Sequence, residues 1–185
     1  MEERPSDRYR TLLTRIAGDI AAHHAKAVVL YGSMARFLRG EEAPGLPNDV
    51  DLLAVCNNSL YSVEHRDYGF PLELHRFRTD EIAGIARSLR YDTKAVALAK
   101  LYGRQTVRGH ARDVIAACLL LGPSYRAFGI EQIEIDGLTD KRDYAAQEVL
   151  HGRRWWVRLQ AFARERRGPF LRWSDKIVEN DVFED

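Results

Sequence analysis

Apolar residues first recur at helical spacing. Leu12, Leu13, Ile16 and Ile20 fall on one face of residues 8–24, which predicts an amphipathic helix. The period then changes. Ala27-Val28-Val29-Leu30-Tyr31 is a short apolar run, β-branched at its centre, and predicts a strand. Gly32-Ser33 breaks that strand, and residues 34–39 have helix-forming composition. Residues 41–47 hold two prolines and a glycine and read as a loop. Residues 50–55 predict a second strand, closed by the turn-prone Asn57-Asn58-Ser59. A polar loop leads to a third strand over residues 70–77. Pro71 cannot donate to a ladder, so it belongs at the strand's start or on a sheet edge.

Thr79-Asp80 caps a helix running to about Leu89, and a further helix is predicted over residues 92–102. Thr106-Val107-Arg108 looks like a short extended piece ending at Gly109. Residues 113–121 form an apolar helix stopped by Gly122-Pro123. Residues 124–138 are ambiguous, with only Ile133 and Ile135 alternating. Residues 140–150 and 153–167 read as helices, the second ended by Gly168-Pro169. The pattern is a core mixing helices and strands over residues 1–110, then a mainly helical extension over residues 111–185 with an acidic tail.

Composition narrows the class. With 45% apolar and 30% charged residues among 185, the chain is globular, which excludes disorder, collagen and a coiled-coil rod. Lys and Arg number 28 against 27 Asp and Glu, so there is no whole-chain case for nucleic-acid binding. The charge is uneven, however. Nine basic and three acidic residues lie between Lys141 and Trp173, while the last twelve residues carry one lysine and five acids. Trp155, Trp156, Leu159 and Phe162 fall near helical spacing, surrounded by Arg153, Arg154, Arg158, Arg164, Arg166 and Arg167. Either the aromatics pack inside and the arginines form a solvated rim or pair with the tail, which is favoured, or the helix binds RNA. Cys56 and Cys118 sit in apolar runs without metal-type spacing and read as reduced core thiols. The charged start, Met1-Glu2-Glu3-Arg4-Pro5, does not suit a secretion signal. Residues 114–121, the longest clean apolar run, are about half of the roughly 18 residues a membrane span needs. The expectation is a soluble cytoplasmic protein.

Candidate chemistry concentrates in two stretches. Gly32 permits a sharp turn and a close backbone approach. Ser33 then opens a helix, where free N–H groups and the helix dipole favour a phosphate. Arg36, one turn on, is in reach of a phosphate as a charge clamp, or pairs at the surface with Glu41 or Glu42. Asp49 and Asp51 are two apart on a strand, so both project from one face. Such a pair repels itself unless a divalent cation lies between, and Mg²⁺ prefers hard oxygen ligands of this kind. Glu73 is the best third carboxylate, because Leu72 and Leu74 point to the opposite, packed face. Three carboxylates suffice for two metals, one activating an attacking oxygen and one neutralising a triphosphate. Glu64 and Asp67 lie in a polar loop and are read as solvated. His75 shares a strand face with Glu73 and either orients it, meets an acceptor or is a partly buried histidine with a satisfied hydrogen bond.

Gly32-Ser33-x-Ala35-Arg36, followed by Asp49-x-Asp51-Leu52, resembles the DNA polymerase β-type nucleotidyltransferase superfamily, and most closely its small minimal nucleotidyltransferases. The resemblance covers residues 8–109, including Leu101-Tyr102-Gly103-Arg104 to Arg108-Gly109. Fifteen residues separate Ser33 from Asp49, a few more than is usual, so residues 41–47 read as an insertion. The third acid is a glutamate where aspartate is commoner. The resemblance implies an α+β fold, with a short mixed β-sheet flanked by helices. It implies transfer of a nucleoside monophosphate, foremost AMP, from a nucleoside triphosphate to an acceptor hydroxyl, with Mg²⁺ as cofactor and Mn²⁺ as a substitute. Gly32 and Ser33 would meet the triphosphate, and Asp49 and Asp51 would be metal ligands. Tyr102, Arg104 and Arg108 either line the base or acceptor site or are structural. The acceptor would be a protein, as in antitoxin halves of some bacterial toxin–antitoxin pairs, an RNA 3′ end, or a small molecule such as an aminoglycoside; neither a membrane nor DNA is expected. A catalytically silent nucleotide- or partner-binding module is the alternative of another class.

Overall fold

A computed structural model describes residues 4–41, 45–89, 111–122 and 146–165. It is an α+β protein. The strands β1 (Ala27–Tyr31), β2 (Val50–Val55), β3 (Leu72–Phe77) and β4 (Glu148–His151) form one mixed sheet in the order β3-β2-β1-β4. β1 is antiparallel to β2 and β4, whereas β2 and β3 are parallel. β1 and β2 are interior strands buried on both faces, which is why they read as near-continuous apolar runs. Asp51 is the polar interruption in that burial. β3 is at the sheet's edge, and Pro71 precedes it, its carbonyl accepting the Val50 N–H at 2.9 Å. The missing proline donor therefore costs the ladder nothing.

The helix α1 (Pro5–Ala21) begins earlier than its apolar spacing predicts, because Pro5 is preorganised for a first turn but carries no apolar signal. Its buried residues Leu13, Ile16 and Ile20 meet Val28, Leu30, Leu52 and Ala54 from one face of the sheet. Leu60 and Val63, at the short helix α3 (Tyr61–Glu64), complete this core. Burying each such side chain contributes roughly 1.5–3 kcal/mol before the entropy of ordering is subtracted. On the opposite face the register aligns Val29 with Leu53 and Tyr31 with Asp51. Between β1 and β2 the chain passes through α2 (Gly32–Leu38).

The chain divides into two compact units, residues 1–79 with 142–153, and residues 80–141 with 154–185. The sheet thus takes its fourth strand from the stretch predicted to be helical. Within residues 140–150, the described part of that prediction is corrected to β4, which pairs with β1 through Val29↔Val149 and Leu30↔Glu148. Gln147, Glu148 and Leu150 are helix formers, but the open edge of β1 offers a ladder that outweighs so weak a preference. The described elements of the second unit are helices, α4 (Thr79–Leu89), α5 (Ala111–Leu121) and α6 (Arg153–Arg164). Trp155, Trp156, Leu159 and Phe162 are buried, while Arg153, Arg154, Arg158 and Arg164 are exposed. Gln160 of α6 donates to the Leu119 carbonyl in the last turn of α5 at 2.9 Å.

Cys56 and Cys118 are buried thiols outside any disulfide. Among the described residues no helix is long and apolar enough to cross a membrane. The predicted helix over 92–102, the extended piece at 106–108, residues 124–138, Arg166, Arg167 and the acidic tail lie outside the described residues, as do Tyr102, Arg104 and Arg108.

Candidate metal centre

The Gly-Ser turn and the acidic strands meet at one end of the sheet. β1 ends at Tyr31, and the chain enters α2 without a loop because Gly32 adopts φ +74°. This is left-handed backbone that other residues take only at a cost. Gly32 has a second reason to be glycine. Tyr31 pairs with Asp51 across the antiparallel ladder, and a Cβ on Gly32 would collide with the Asp51 carboxylate. The close approach expected of Gly32 is thus made, in the first instance, to a candidate ligand.

Asp51 is also the register partner of Glu73 in the parallel ladder. Adjacent strands lie about 4.8 Å apart, so paired residues on one face bring their carboxylates side by side. Asp49 stands immediately before β2. One oxygen from each of Asp49, Asp51 and Glu73 lies within 4.8 Å of the other two. The three candidate ligands are therefore gathered on one patch. Three like charges at that spacing repel by about 1 kcal/mol per pair in water and about 3 kcal/mol at an effective dielectric of 20. The exposure of Glu73 favours the smaller figure. The donor set, three hard carboxylate oxygens and no thiolate or imidazole, is the chemistry that Mg²⁺ or Mn²⁺ takes.

The other candidates are distributed as follows. Ser33, half-buried, is the second residue of α2. Arg36 is buried at 6% exposure, so it is no solvated surface arginine. The Glu41 carboxylate pairs with Arg39 at 3.0 Å, and Glu42 lies outside the described residues. Asp67 closes a tight turn by accepting the Gly69 N–H at 2.7 Å, and Glu64 ends α3, so neither joins the acidic patch. His75 does join it, through a 2.9 Å hydrogen bond from Nε2 to Glu73 Oε1. Tyr31 is a residue that the sequence pattern does not single out. It is buried, aligned with Asp51, and its ring lies 6.3 Å from that of His75. Its place directly before Gly32-Ser33 is the one signal that points to it.

No family model, no curated protein and no solved structure matches this chain.

Proposed function

We propose that the protein is a metal-dependent nucleotidyltransferase built on a polymerase β-type core. One observation carries the reading: carboxylates from the start of β2, from β2 itself and from β3 converge within 4.8 Å, and that of Asp51 packs over the glycine of the Gly-Ser turn. A turn suited to phosphate and a patch suited to a cation are thereby adjacent, which supports a site for a metal-bound triphosphate. Asp49, Asp51 and Glu73 would hold Mg²⁺ ions, which would supply Lewis-acid activation of the acceptor hydroxyl and neutralise triphosphate charge. Gly32 and Ser33 receive the β- and γ-phosphates at the N–H groups opening α2. Arg36, buried in the same helix, adds positive charge to the phosphate end of the site.

The acceptor oxygen bonds to the α-phosphorus as the bond to the bridging oxygen of the β-phosphate breaks. The nucleoside monophosphate passes to the acceptor, and pyrophosphate leaves. Glu73, the most exposed of the three carboxylates, accepts the hydroxyl proton. The favoured donor is ATP and the favoured acceptor a protein hydroxyl. Burial of Trp155, Trp156 and Phe162 supports that choice, since these three rings are not presented as a stacking surface for a single-stranded RNA acceptor.

The test is label transfer from α-³²P- and γ-³²P-labelled ATP, CTP, GTP and UTP, with Mg²⁺ and a bacterial lysate. An Asp49→Ala/Asp51→Ala variant is the control. Label from the α position alone, absent in the control and removed by protease, is the expected result. Removal by ribonuclease instead, or a small labelled product, names one of the other acceptors. Label from the γ position would make the protein a kinase. Metal-dependent nucleotide binding without transfer from any nucleotide would leave a silent binding module.

A further inference from the structure

His75 and Glu73 sit two residues apart on one face of β3, in very different surroundings. The His75 side chain is 15% exposed and that of Glu73 is 59% exposed, yet Nε2 lies 2.9 Å from Oε1. An ionised carboxylate only accepts, so Nε2 carries the hydrogen and donates it. The imidazole is itself largely covered, with the ring of buried Tyr31 tilted toward it at 6.3 Å. A packed ring therefore grips a carboxylate that otherwise stands in solvent.

That grip matters because Glu73 is a glutamate. It has one more side-chain torsion than Asp49 and Asp51, and an exposed glutamate samples several rotamers at an entropic cost to any ordered state. Only some of those rotamers bring an oxygen to the two aspartates. We infer that His75 is the positioning residue of the acidic patch: by occupying Oε1 it fixes the Glu73 side chain and leaves Oε2 for the divalent cation. This rests on the metal-site reading above and adds to it a reason why a longer, looser acid serves in third place.

The test measures Mn²⁺ binding to the nucleotide-free protein by titration calorimetry and by the electron paramagnetic resonance signal of free Mn²⁺. Proteins compared are wild type, His75→Gln, His75→Leu, His75→Asn, Glu73→Ala and Asp49→Asn/Asp51→Asn, with thermal melts for each. His75→Leu should raise the Mn²⁺ dissociation constant about tenfold, the loss usual for a partner of a metal ligand. His75→Asn keeps polarity but is too short to reach Oε1, and should match it. His75→Gln restores an N–H donor and should recover most of the affinity. Tight binding in His75→Leu and His75→Asn, with affinity lost in Glu73→Ala, would overturn the inference and leave the metal site standing. Equal weakening in His75→Gln and His75→Leu would also overturn it, since packing and not donation would then be at work. If wild type binds Mn²⁺ no better than the double aspartate variant, the metal reading falls and this inference with it.

Discussion

At the scale of single residues, Gly32 and the acids beside it make two separable demands on stability. Gly32 and Gly40 have nearly the same backbone, φ +74° and +71°, but a Cβ on Gly40 meets nothing within 4 Å whereas one on Gly32 meets Asp51. Gly40→Ala should therefore cost only left-handed strain, about 1 kcal/mol. Gly32→Ala adds a steric conflict in a packed site and should cost about 2–4 kcal/mol in urea unfolding. Equal losses would mean that Asp51 moves aside freely. The acids act in the opposite sense. With EDTA present, Asp51→Asn relieves like-charge repulsion and should raise stability by about 0.5–1 kcal/mol. Wild type should gain thermal stability as Mg²⁺ is added, because a ligand that binds only the native state stabilises it, and Asp51→Asn should not. A thermal melt series with and without Mg²⁺ reads both. Most of this site is legible in the sequence, since Leu72-Glu73-Leu74 alternates visibly and period two puts Asp49 and Asp51 together. Burial of Arg36 is not, because a local sequence does not reveal what covers its helix.

At the scale of elements, the segment between α3 and β3 is tied to α1 by a polar staple. Arg66 Nη1 and the Tyr68 hydroxyl both donate to Asp19 Oδ2, at 2.6 and 2.8 Å, and Arg15 Nη2 donates to the Tyr68 carbonyl at 2.9 Å. Burial alone would raise the Asp19 carboxyl, but the hydrogen bonds from Tyr68 and Arg66 and the charges of Arg66 and Arg15 outweigh it and hold it below its ordinary value. The stabilisation is thus present above the unfolded value of 3.8 and is lost as pH falls through the lower native one. Burial, then the hydrogen bond to Asp19 and its charge, push the Tyr68 hydroxyl up to about 12. That contribution is complete below pH 10 and disappears as pH rises toward about 12. Urea midpoints against pH should show the alkaline loss flattened in Tyr68→Phe and part of the acid loss flattened in Asp19→Asn. If Tyr68→Phe keeps the wild-type slope above pH 10, the staple is not holding that proton. None of this network is visible in the sequence, because its members lie up to 53 positions apart. Strands β1 and β2 are visible to the residue, since interior strands write their burial as apolar runs. β4 is hidden for the complementary reason: it is short, half-buried and at an edge, and only pairing with a distant strand makes it a strand.

At the scale of the molecule, that hidden strand decides which piece of the chain can fold. A boundary near residue 110, which the helix-rich second half suggests, leaves β1 without β4. Residues 28–30 of β1 would then present a fully buried, apolar ladder edge to solvent, and Ala146 would be lost from the core beneath it. An unprotected edge of that kind pairs with other chains. Gly152 reinforces the dependence. At φ +68° it passes so close to Lys26 that a Cβ would collide with the Lys26 carbonyl, so the end of β4 is fitted to the start of β1. A chain ending at residue 110 should therefore aggregate or unfold without a cooperative transition, even though it retains Gly32, Ser33, Asp49, Asp51 and Glu73. Adding back residues 142–153 through a flexible linker should restore the sheet, because those residues belong to the same compact unit. Circular dichroism and amide exchange distinguish the cases, with protection of the Val28–Leu30 amides as the specific readout. A soluble, protected 1–110 fragment would mean that the fourth strand decorates the sheet. Failure of that fragment, with rescue by the added strand, would mean that the acidic patch is held in place by a segment lying about 70 residues beyond its last carboxylate.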